Sequence, residues 1–384
     1  MILEPDRSRK RKKQRLEDIP FSETLPSEPQ APAPAALFSK DIEARHAAKL
    51  HWIKHPIEGA FNTLFHALLS VLPSNFISAF GSHAADLSRW RHQDRIFAKR
   101  ISRNLNALCP DLASHKEAAQ TALKRWWRNM GRTMAEFSKA NHLWPDGNIS
   151  LKGQENLEAA RQLGGPLIFV SVHLGTWEAG FTAVHQDLAP PSIGPFQPEP
   201  NRFTNRIVYK LRQKRNQYLF PPGQRTAIRL RKLLTDDTVS LTIFIDEVRD
   251  RQVHMPLFGR ALPDKGNATV AIKLANVSGG TLVPFYLTRT GGPKFDLVIL
   301  PPIPPQTAEQ MPTQAQAPAT QKRYGIEPTL SQLNAIFEPV ILSEIEQWYM
   351  LSELRLPVDF ETNQETQKHL SDLRNQQAPA QRAD

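Results

Sequence analysis

Two different spacings of apolar residues divide the chain. Between residues 41 and about 140 they recur at helical intervals, for example at Phe61, Leu64 and Leu68. From about residue 165, short continuous apolar runs alternate with amphipathic stretches. This order predicts a helical first part, followed by an α/β fold with a mainly parallel sheet flanked by helices.

The second part contains the clearest predicted elements. The predicted strands are residues 166–172, 239–245, 281–288 and 295–300. The predicted helices are residues 176–187, 203–216, 226–234, 267–277 and 331–342, with another around Trp348. Continuously apolar strands are typical of a sheet that is covered on both faces. Functional side chains are therefore expected at the carboxyl ends of these strands.

Polar and proline-rich stretches mark the remaining organisation. Residues 1–40 combine a basic cluster with a Pro- and Ala-rich run, and they are predicted to be a disordered tail. One folded domain is predicted over residues 41–360, with its helical part at 41–140. Residues 301–322 are rich in Pro, Gln and Ala and are predicted to be a flexible insertion. Residues 361–384 are predicted to be a second disordered tail.

The formal net charge of +10 favours acidic partners. Nucleic acid, anionic lipid and an acidic carrier protein all satisfy this condition, but no nucleic-acid-binding module follows the basic cluster. Cys109 is the single cysteine, so the chain cannot form an intramolecular disulfide. An anionic membrane surface and an acidic carrier therefore remain as expected partners.

A membrane-spanning helix is not expected, because no segment reaches 18 clean apolar residues. The most apolar stretch, residues 59–81, is interrupted by Asn62, His66, Pro73 and Asn75. We expect it to be an amphipathic or re-entrant segment at a membrane interface. The helical part at 41–140 is accordingly predicted to associate with a membrane.

The strongest candidate for chemistry is the pair His173 and Glu178, which follows the strand at 166–172 and opens a helix. A neutral imidazole can take a proton from a hydroxyl near pH 7, and a carboxylate on its second nitrogen would orient it. The sequence predicts that Glu178 folds back onto His173, across a turn that Gly175 permits. One His-x4-acid match among twelve histidines is also expected by chance, so a merely buried histidine is the alternative.

Three further features suggest contacts with an anion or substrate. Residues 202–232 hold ten basic residues and no acidic ones, with Arg202 and Arg206 at their start. Such a segment is a solvated helical face or a surface that attracts acidic ligands. Asp246 ends the strand at 239–245, and Arg260 lies in the loop beyond it. These two are either site residues or an ordinary strand end and turn. No metal-binding motif such as H-E-x-x-H occurs.

Eight short segments, taken in order, resemble the motifs of the bacterial lipid A biosynthesis acyltransferases, the late acyltransferases of lipopolysaccharide assembly. The resemblance covers roughly residues 50 to 355. The segments are Arg103-Asn-Leu105 with Pro110, Arg132 to Glu136, His173-Leu-Gly-Thr-Trp-Glu178, Asp246, Pro256-Leu-Phe-Gly-Arg260, Gly266-Asn-Ala268, Leu282-Val-Pro284 and Gln347-Trp348. The sequence departs from the family at Gln197, where the family usually has an Arg. Arg202 or Arg206 would then take the place of this Arg.

The resemblance implies a glycerolipid acyltransferase-like fold and an enzyme on the cytoplasmic face of the inner membrane. It implies an acyl carrier protein thioester as donor and a phosphorylated glycolipid, the lipid A precursor, as acceptor. His173 would be the base and Glu178 its partner, with no cofactor. Two alternatives stay open: the same fold acting on another glycolipid or a lysophospholipid, and a catalytically silent relative that docks on membranes.

Overall fold

A central sheet carries the second part of the protein, in a computed structural model that describes residues 13–306 and 324–377. Seven strands lie in the order β1-β9-β8-β2-β5-β3-β4, and all neighbours are parallel except β8 and β9. Their bounds are β1 Ile149–Lys152, β2 Leu167–Ser171, β3 Ser192–Pro195, β4 Leu219–Phe220, β5 Ser240–Phe244, β8 Thr281–Gly291 and β9 Lys294–Ile299. A separate hairpin joins β6 Val248–Arg249 to β7 Gln252–Val253. The predicted mainly parallel α/β sheet is confirmed.

Helices connect and cover these strands. Their bounds are α7 Gln154–Gln162, α8 Trp177–Ala183, α9 Arg202–Lys214, α10 Gln224–Asp236, α11 Asn267–Ser278, α12 Ile326–Ser343 and α13 Gln364–Gln377. Every residue of β2 is buried, as expected for a strand in the middle of a sheet with helices on both faces. Short 3₁₀ turns flank Trp348, where the sequence predicts a helix.

The helical first part is also confirmed as helical. Its bounds are α1 Ile42–Lys49, α2 His55–Val71, α3 Ser74–His92, α4 Ile96–Leu108, α5 Pro110–Ala113 and α6 Lys116–Glu136. Helices α3 and α6 cross closely at two glycines, since a Cβ on Gly81 would lie 2.4 Å from the carbonyl oxygen of Gly131. Trp126, Trp127 and Met130 of α6 are buried in the main core. Helix α6 therefore connects the helical part to the sheet.

Helix α2 exposes an apolar stripe. Its residues share one helical face and are each more than half exposed: Ile57, Phe61, Leu64, Leu68 and Val71. Nowhere in the described chain is a helix both long and apolar enough to cross a membrane. Association of this part with a membrane surface therefore stays a prediction.

The described parts of both predicted tails are ordered against the domain. Leu16 and Ile19 are buried, the Tyr218 hydroxyl donates to the Ile19 carbonyl at 3.1 Å, and the rings of Phe21 and Tyr218 are 5.0 Å apart. At the other end, α13 buries Leu370 completely. A few apolar anchors thus fix segments whose composition predicts disorder. The predicted insertion at 301–322 lies mostly outside the described residues.

Candidate functional site

His173 and Asp246 meet because two parallel strands end in register. Strands β2 and β5 are neighbours, and Ser171 lies opposite Phe244 at their carboxyl ends. Two residues further along each strand, the Nδ1 atom of His173 lies 2.6 Å from Oδ1 of Asp246. The backbone N–H of His173 also donates to Oδ2 of Asp246, at 2.8 Å. The carboxylate that contacts the imidazole therefore comes from the neighbouring strand.

Asp246 is held rigidly by a third donor. The indole Nε1–H of Trp348 donates to Oδ2 of Asp246 at 2.9 Å, and both residues are completely buried. Trp348 is fixed in turn, because its carbonyl accepts from the indole of Trp126 at 2.9 Å. A carboxylate only accepts hydrogen bonds, so this contact places the proton of a neutral imidazole on Nδ1. Nε2 of His173 is then left with a lone pair that can take a proton.

Aromatic side chains surround the imidazole. The ring of Phe244 stacks on it with centroids 4.5 Å apart, and Trp177 meets it edge-on at 5.1 Å. Tyr349 lies 4.8 Å from Trp177, and its backbone N–H donates to the carbonyl of His173 at 3.0 Å. The His173 side chain keeps 17% of its surface exposed. The imidazole is therefore accessible beside an apolar wall, an arrangement typical of ligand sites with a few placed polar groups.

The predicted contact between Glu178 and His173 does not form. Glu178 is in the first turn of α8 and is buried, and its Oε1 accepts from Nε of Arg212 at 3.4 Å and from Nη2 of Arg215. Burial alone would raise the pKa of Glu178, but the two guanidinium groups outweigh it and lower that pKa. Burial also lowers the pKa of Arg215 to about 10, although Glu178 opposes this shift. Glu178 thus joins α8 to α9 by an ion pair.

The reason for this difference is the geometry of the turn. Gly175 adopts a left-handed φ of +54°, and the helix that follows begins at Trp177. Glu178 therefore leaves the loop along α8 and reaches the two arginines at the end of α9. Asp246, predicted as a substrate contact, is instead completely buried against His173 and Trp348. The structure corrects both geometric expectations.

The three predicted anion contacts have different surroundings. Arg202 donates to the carbonyl of His51 at 3.1 Å, and Arg206 pairs with Glu28 at 2.6 Å. Both begin α9, and Arg202 is ten residues, or about 15 Å, from Arg212 along the helix. The prediction that Arg260 contacts an anion is wrong, because backbone carbonyls engage its guanidinium.

Each nitrogen of the Arg260 guanidinium donates to a different carbonyl at 2.7 Å, those of Val253, Pro256 and Leu257. Burial lowers its pKa to about 10, partly offset by Glu338. Arg260 thus braces the loop after β7 rather than presenting a cation to a ligand.

Several site residues were not predicted in their observed roles. Trp348 was recognised only as part of a motif, and Arg212 and Arg215 only as members of a basic segment. Tyr349 and Phe244 carried no chemical pattern of their own. Their positions depend on which strands are neighbours, and this information lies in pairing between distant parts of the chain.

The sequence model of the family described as bacterial lipid A biosynthesis acyltransferase matches residues 49–355. This match covers helices α2 to α6 and the whole sheet, including His173, Asp246 and Trp348, whereas α1 precedes it except for Lys49. No curated protein matches the chain. The N-terminal segment packed against α9 and α10, and helix α13, lie outside the matched range.

Proposed function

The chain belongs to the bacterial lipid A biosynthesis acyltransferase family and is an acyltransferase, and we propose that it transfers a fatty acyl chain from an acyl carrier protein thioester to a hydroxyl of a lipid A precursor. The observation that carries this proposal is the hydrogen bond of 2.6 Å between Nδ1 of His173 and Asp246. It leaves Nε2 as a base at the carboxyl edge of the sheet, next to an aromatic wall.

In the proposed reaction, Nε2 of His173 takes the proton of the acceptor hydroxyl as its oxygen attacks the thioester carbonyl. The C–O bond forms, the C–S bond breaks, and the imidazolium returns the proton to the departing thiolate. Asp246 holds the Nδ1–H throughout and stabilises the positive charge that develops on the ring. The nucleophile is the substrate's hydroxyl, so the protein supplies no covalent intermediate.

The proposed donor fits the charge of helices α9 and α10. Residues 202–232 carry ten basic side chains and no acidic ones. Some of them are engaged within the protein, such as Arg215 with Glu178 and Arg206 with Glu28, while four others are exposed: Lys210, Lys214, Arg225 and Arg231. Exposed charges of one sign attract an acidic partner and raise its rate of encounter at low ionic strength. The last turn of α9 brings Arg212 to Glu178, in the helix that follows the His173 loop. An acidic carrier on this surface would therefore present its thioester close to the base.

The proposed location is the cytoplasmic face of the inner membrane, reached through the apolar stripe of α2. Phe61 and Leu64 are 64% and 72% exposed, which is unusual for large apolar side chains at neighbouring positions. Inserting such a side chain into lipid gains about 1–2 kcal/mol. Several together would hold the protein at the surface without a spanning helix.

The test of the reaction is an in vitro transfer assay with acyl carrier protein thioesters and a tetra-acylated lipid A precursor. Wild type should add one chain, and His173→Ala should lose about 10²–10⁴-fold in rate. His115→Ala, at an exposed histidine before α6, is the matched control and should keep full activity. Transfer to a different lipid alone would refute the lipid A precursor as the acceptor. A wild-type transfer rate in His173→Ala would refute the role of His173 as the base.

The test of the location is flotation with vesicles that contain anionic phospholipid. Phe61→Glu combined with Leu64→Glu should abolish co-flotation, because two charges would enter the apolar stripe. Val358→Glu is the control, since Val358 is 97% exposed and lies outside the stripe. Equal binding of both variants would contradict the proposed membrane surface.

A further inference from the structure

A buried ion pair contacts the loop that carries His173. Arg289 of β8 donates through Nη1 and Nη2 to the two carboxylate oxygens of Glu136, at 2.7 and 2.8 Å. Glu136 ends α6 and is completely buried, and the Arg289 side chain is 5% exposed. The Thr176 hydroxyl donates to Glu136 at 2.5 Å and accepts from Nη2 of Arg289 at 3.1 Å. Thr176 is three residues beyond His173, so Glu136 and Arg289 fix the end of this loop by hydrogen bonds.

Helix α6 also holds the loop one residue earlier. Thr133, one turn before Glu136, donates its hydroxyl to the carbonyl of Gly175 at 3.0 Å. Gly175 lies so close to β8 that an added Cβ would be 3.0 Å from the carbonyl oxygen of Leu287. The loop between His173 and α8 is therefore fixed by α6 and β8 together.

Arg289 is also connected to Asp246, which together with His173 forms the catalytic dyad of the proposed function. The backbone N–H of Arg289 donates to Oε1 of Gln347 at 2.7 Å, and Nε2 of Gln347 donates back to the Arg289 carbonyl at 3.1 Å. Gln347 directly precedes Trp348, whose indole donates to Asp246. Arg289 is thus connected to His173 through Thr176, and to Asp246 through Gln347 and Trp348.

Stability alone is a poor explanation for this arrangement. Removing two charges from water costs free energy that their mutual attraction barely recovers, so a buried ion pair is weak evidence for a stabilising role. A bidentate arginine fork does, however, fix its partners in one geometry. Groups that hold a base within a fraction of an ångström of its productive position control the rate of the reaction.

We propose that Glu136 and Arg289 are positioning residues for acyl transfer, which set the His173 loop through Thr176 and the Asp246 carboxylate through Gln347 and Trp348. The inference rests on the proposed role of His173 as base. It adds two residues that act on both His173 and Asp246 through intermediate side chains.

The experiment compares Thr176→Val with Thr176→Ser in the transfer assay. Valine removes both hydrogen bonds of the hydroxyl and leaves the Glu136–Arg289 pair intact, whereas serine keeps them. We expect kcat to fall about 10–100-fold in Thr176→Val, with KM for the thioester unchanged, and to recover in Thr176→Ser. The ¹H–¹⁵N signal of the His173 Nδ1–H should shift in Thr176→Val and stay at its wild-type position in Thr176→Ser. Arg289→Lys, which loses the fork, should reproduce the loss of kcat and the shift.

The matched control is Thr281→Val, at the amino end of β8, where a buried hydroxyl donates to the carbonyl of Gly164 at 3.0 Å. A purely structural role predicts that Thr176→Val and Thr281→Val lose stability alike and keep the kcat and His173 signal of wild type. That result would overturn the inference. Full activity of His173→Ala would overturn the proposed function, and the inference with it, so the two failures are distinguishable.

Discussion

Replacement of Asp246 by Asn should change which nitrogen of His173 carries the proton, without changing the shape of the site. Oδ2 of Asp246 accepts two N–H groups, from the His173 backbone and from Trp348, while Oδ1 accepts one from the imidazole. The Asn oxygen will therefore occupy the Oδ2 position, because the opposite orientation would point its NH₂ group at two donors. The NH₂ group then faces Nδ1 of His173, which must become an acceptor.

The consequence is the wrong tautomer. With Nδ1 accepting, the proton of the neutral imidazole moves to Nε2, the atom proposed to take the proton of the acceptor hydroxyl. Losing a correctly oriented base costs about 10²–10⁴-fold in rate, which corresponds to about 3–5 kcal/mol of transition-state stabilisation. Because Asn keeps all three contacts of the site as hydrogen bonds, the free energy of unfolding should change far less than the activation free energy.

The assay measures kcat and KM for the acyl carrier protein thioester in wild type, Asp246→Asn and Glu178→Gln, together with the melting temperature of each. Asp246→Asn should lose kcat while it keeps a melting temperature near that of wild type. Asp111→Asn, at an exposed position in α5, controls for the loss of one negative charge. Retention of kcat by Asp246→Asn, with loss of kcat by a fully stable Glu178→Gln, would refute the pairing seen in the structure.

Three further predictions concern stability. Glu178→Gln should lower the free energy of unfolding by about 3–5 kcal/mol in chemical denaturation, because it leaves the buried guanidinium of Arg215 without its anion; an unchanged value would contradict the ion pair. Burial raises the pKa of Glu247 to about 8 from 4.5, so the folded state keeps a proton that the unfolded state has released, and stability falls as pH rises through this window. Glu247→Gln should therefore stabilise the protein more at pH 8 than at pH 5, by about 3–4 kcal/mol, and a pH-independent effect would contradict this. Ile19→Ala should cost about 2–4 kcal/mol, and the same change at Ile42, which is 72% exposed, almost nothing; equal effects would show that the N-terminal segment does not pack.

Sequence patterns predicted four of the seven strands of the sheet, β2, β5, β8 and β9, because their apolar runs are locally determined, and missed the short strands β1, β3 and β4. The predicted strand at 166–172 contains β2 with one extra residue at each end, and the strand at 239–245 contains β5 in the same way. Apolar runs bounded by polar residues carry this information within a few positions. They also placed His173 and Asp246 just after these strands, at the edge where chemistry was expected.

The partner of His173 could not be predicted in the same manner. Spacing along the chain favoured Glu178, five residues away, whereas the true contact depends on β2 and β5 being parallel neighbours in a particular register. The order of the N-terminal segment was missed for a related reason. Ile19 and Phe21 are isolated apolar residues in a polar stretch, and they become anchors through Tyr209 and Tyr218, which lie far along the chain.

The positions of the charged groups suggest separate tasks for the two carboxylates near His173. Asp246 meets the imidazole and two further N–H donors in a rigid, fully buried setting, which suits control of a tautomer. Glu178 meets two guanidinium groups of α9, the helix that begins the basic surface. The Glu178 contact thus joins α8 to α9, whereas the Asp246 contact joins the His173 loop to the neighbouring strand. Under the proposed function, Asp246 therefore acts on the proton of His173, and Glu178 acts on the packing of α8 against α9, so replacement of each should affect a different quantity, kcat for Asp246 and the free energy of unfolding for Glu178.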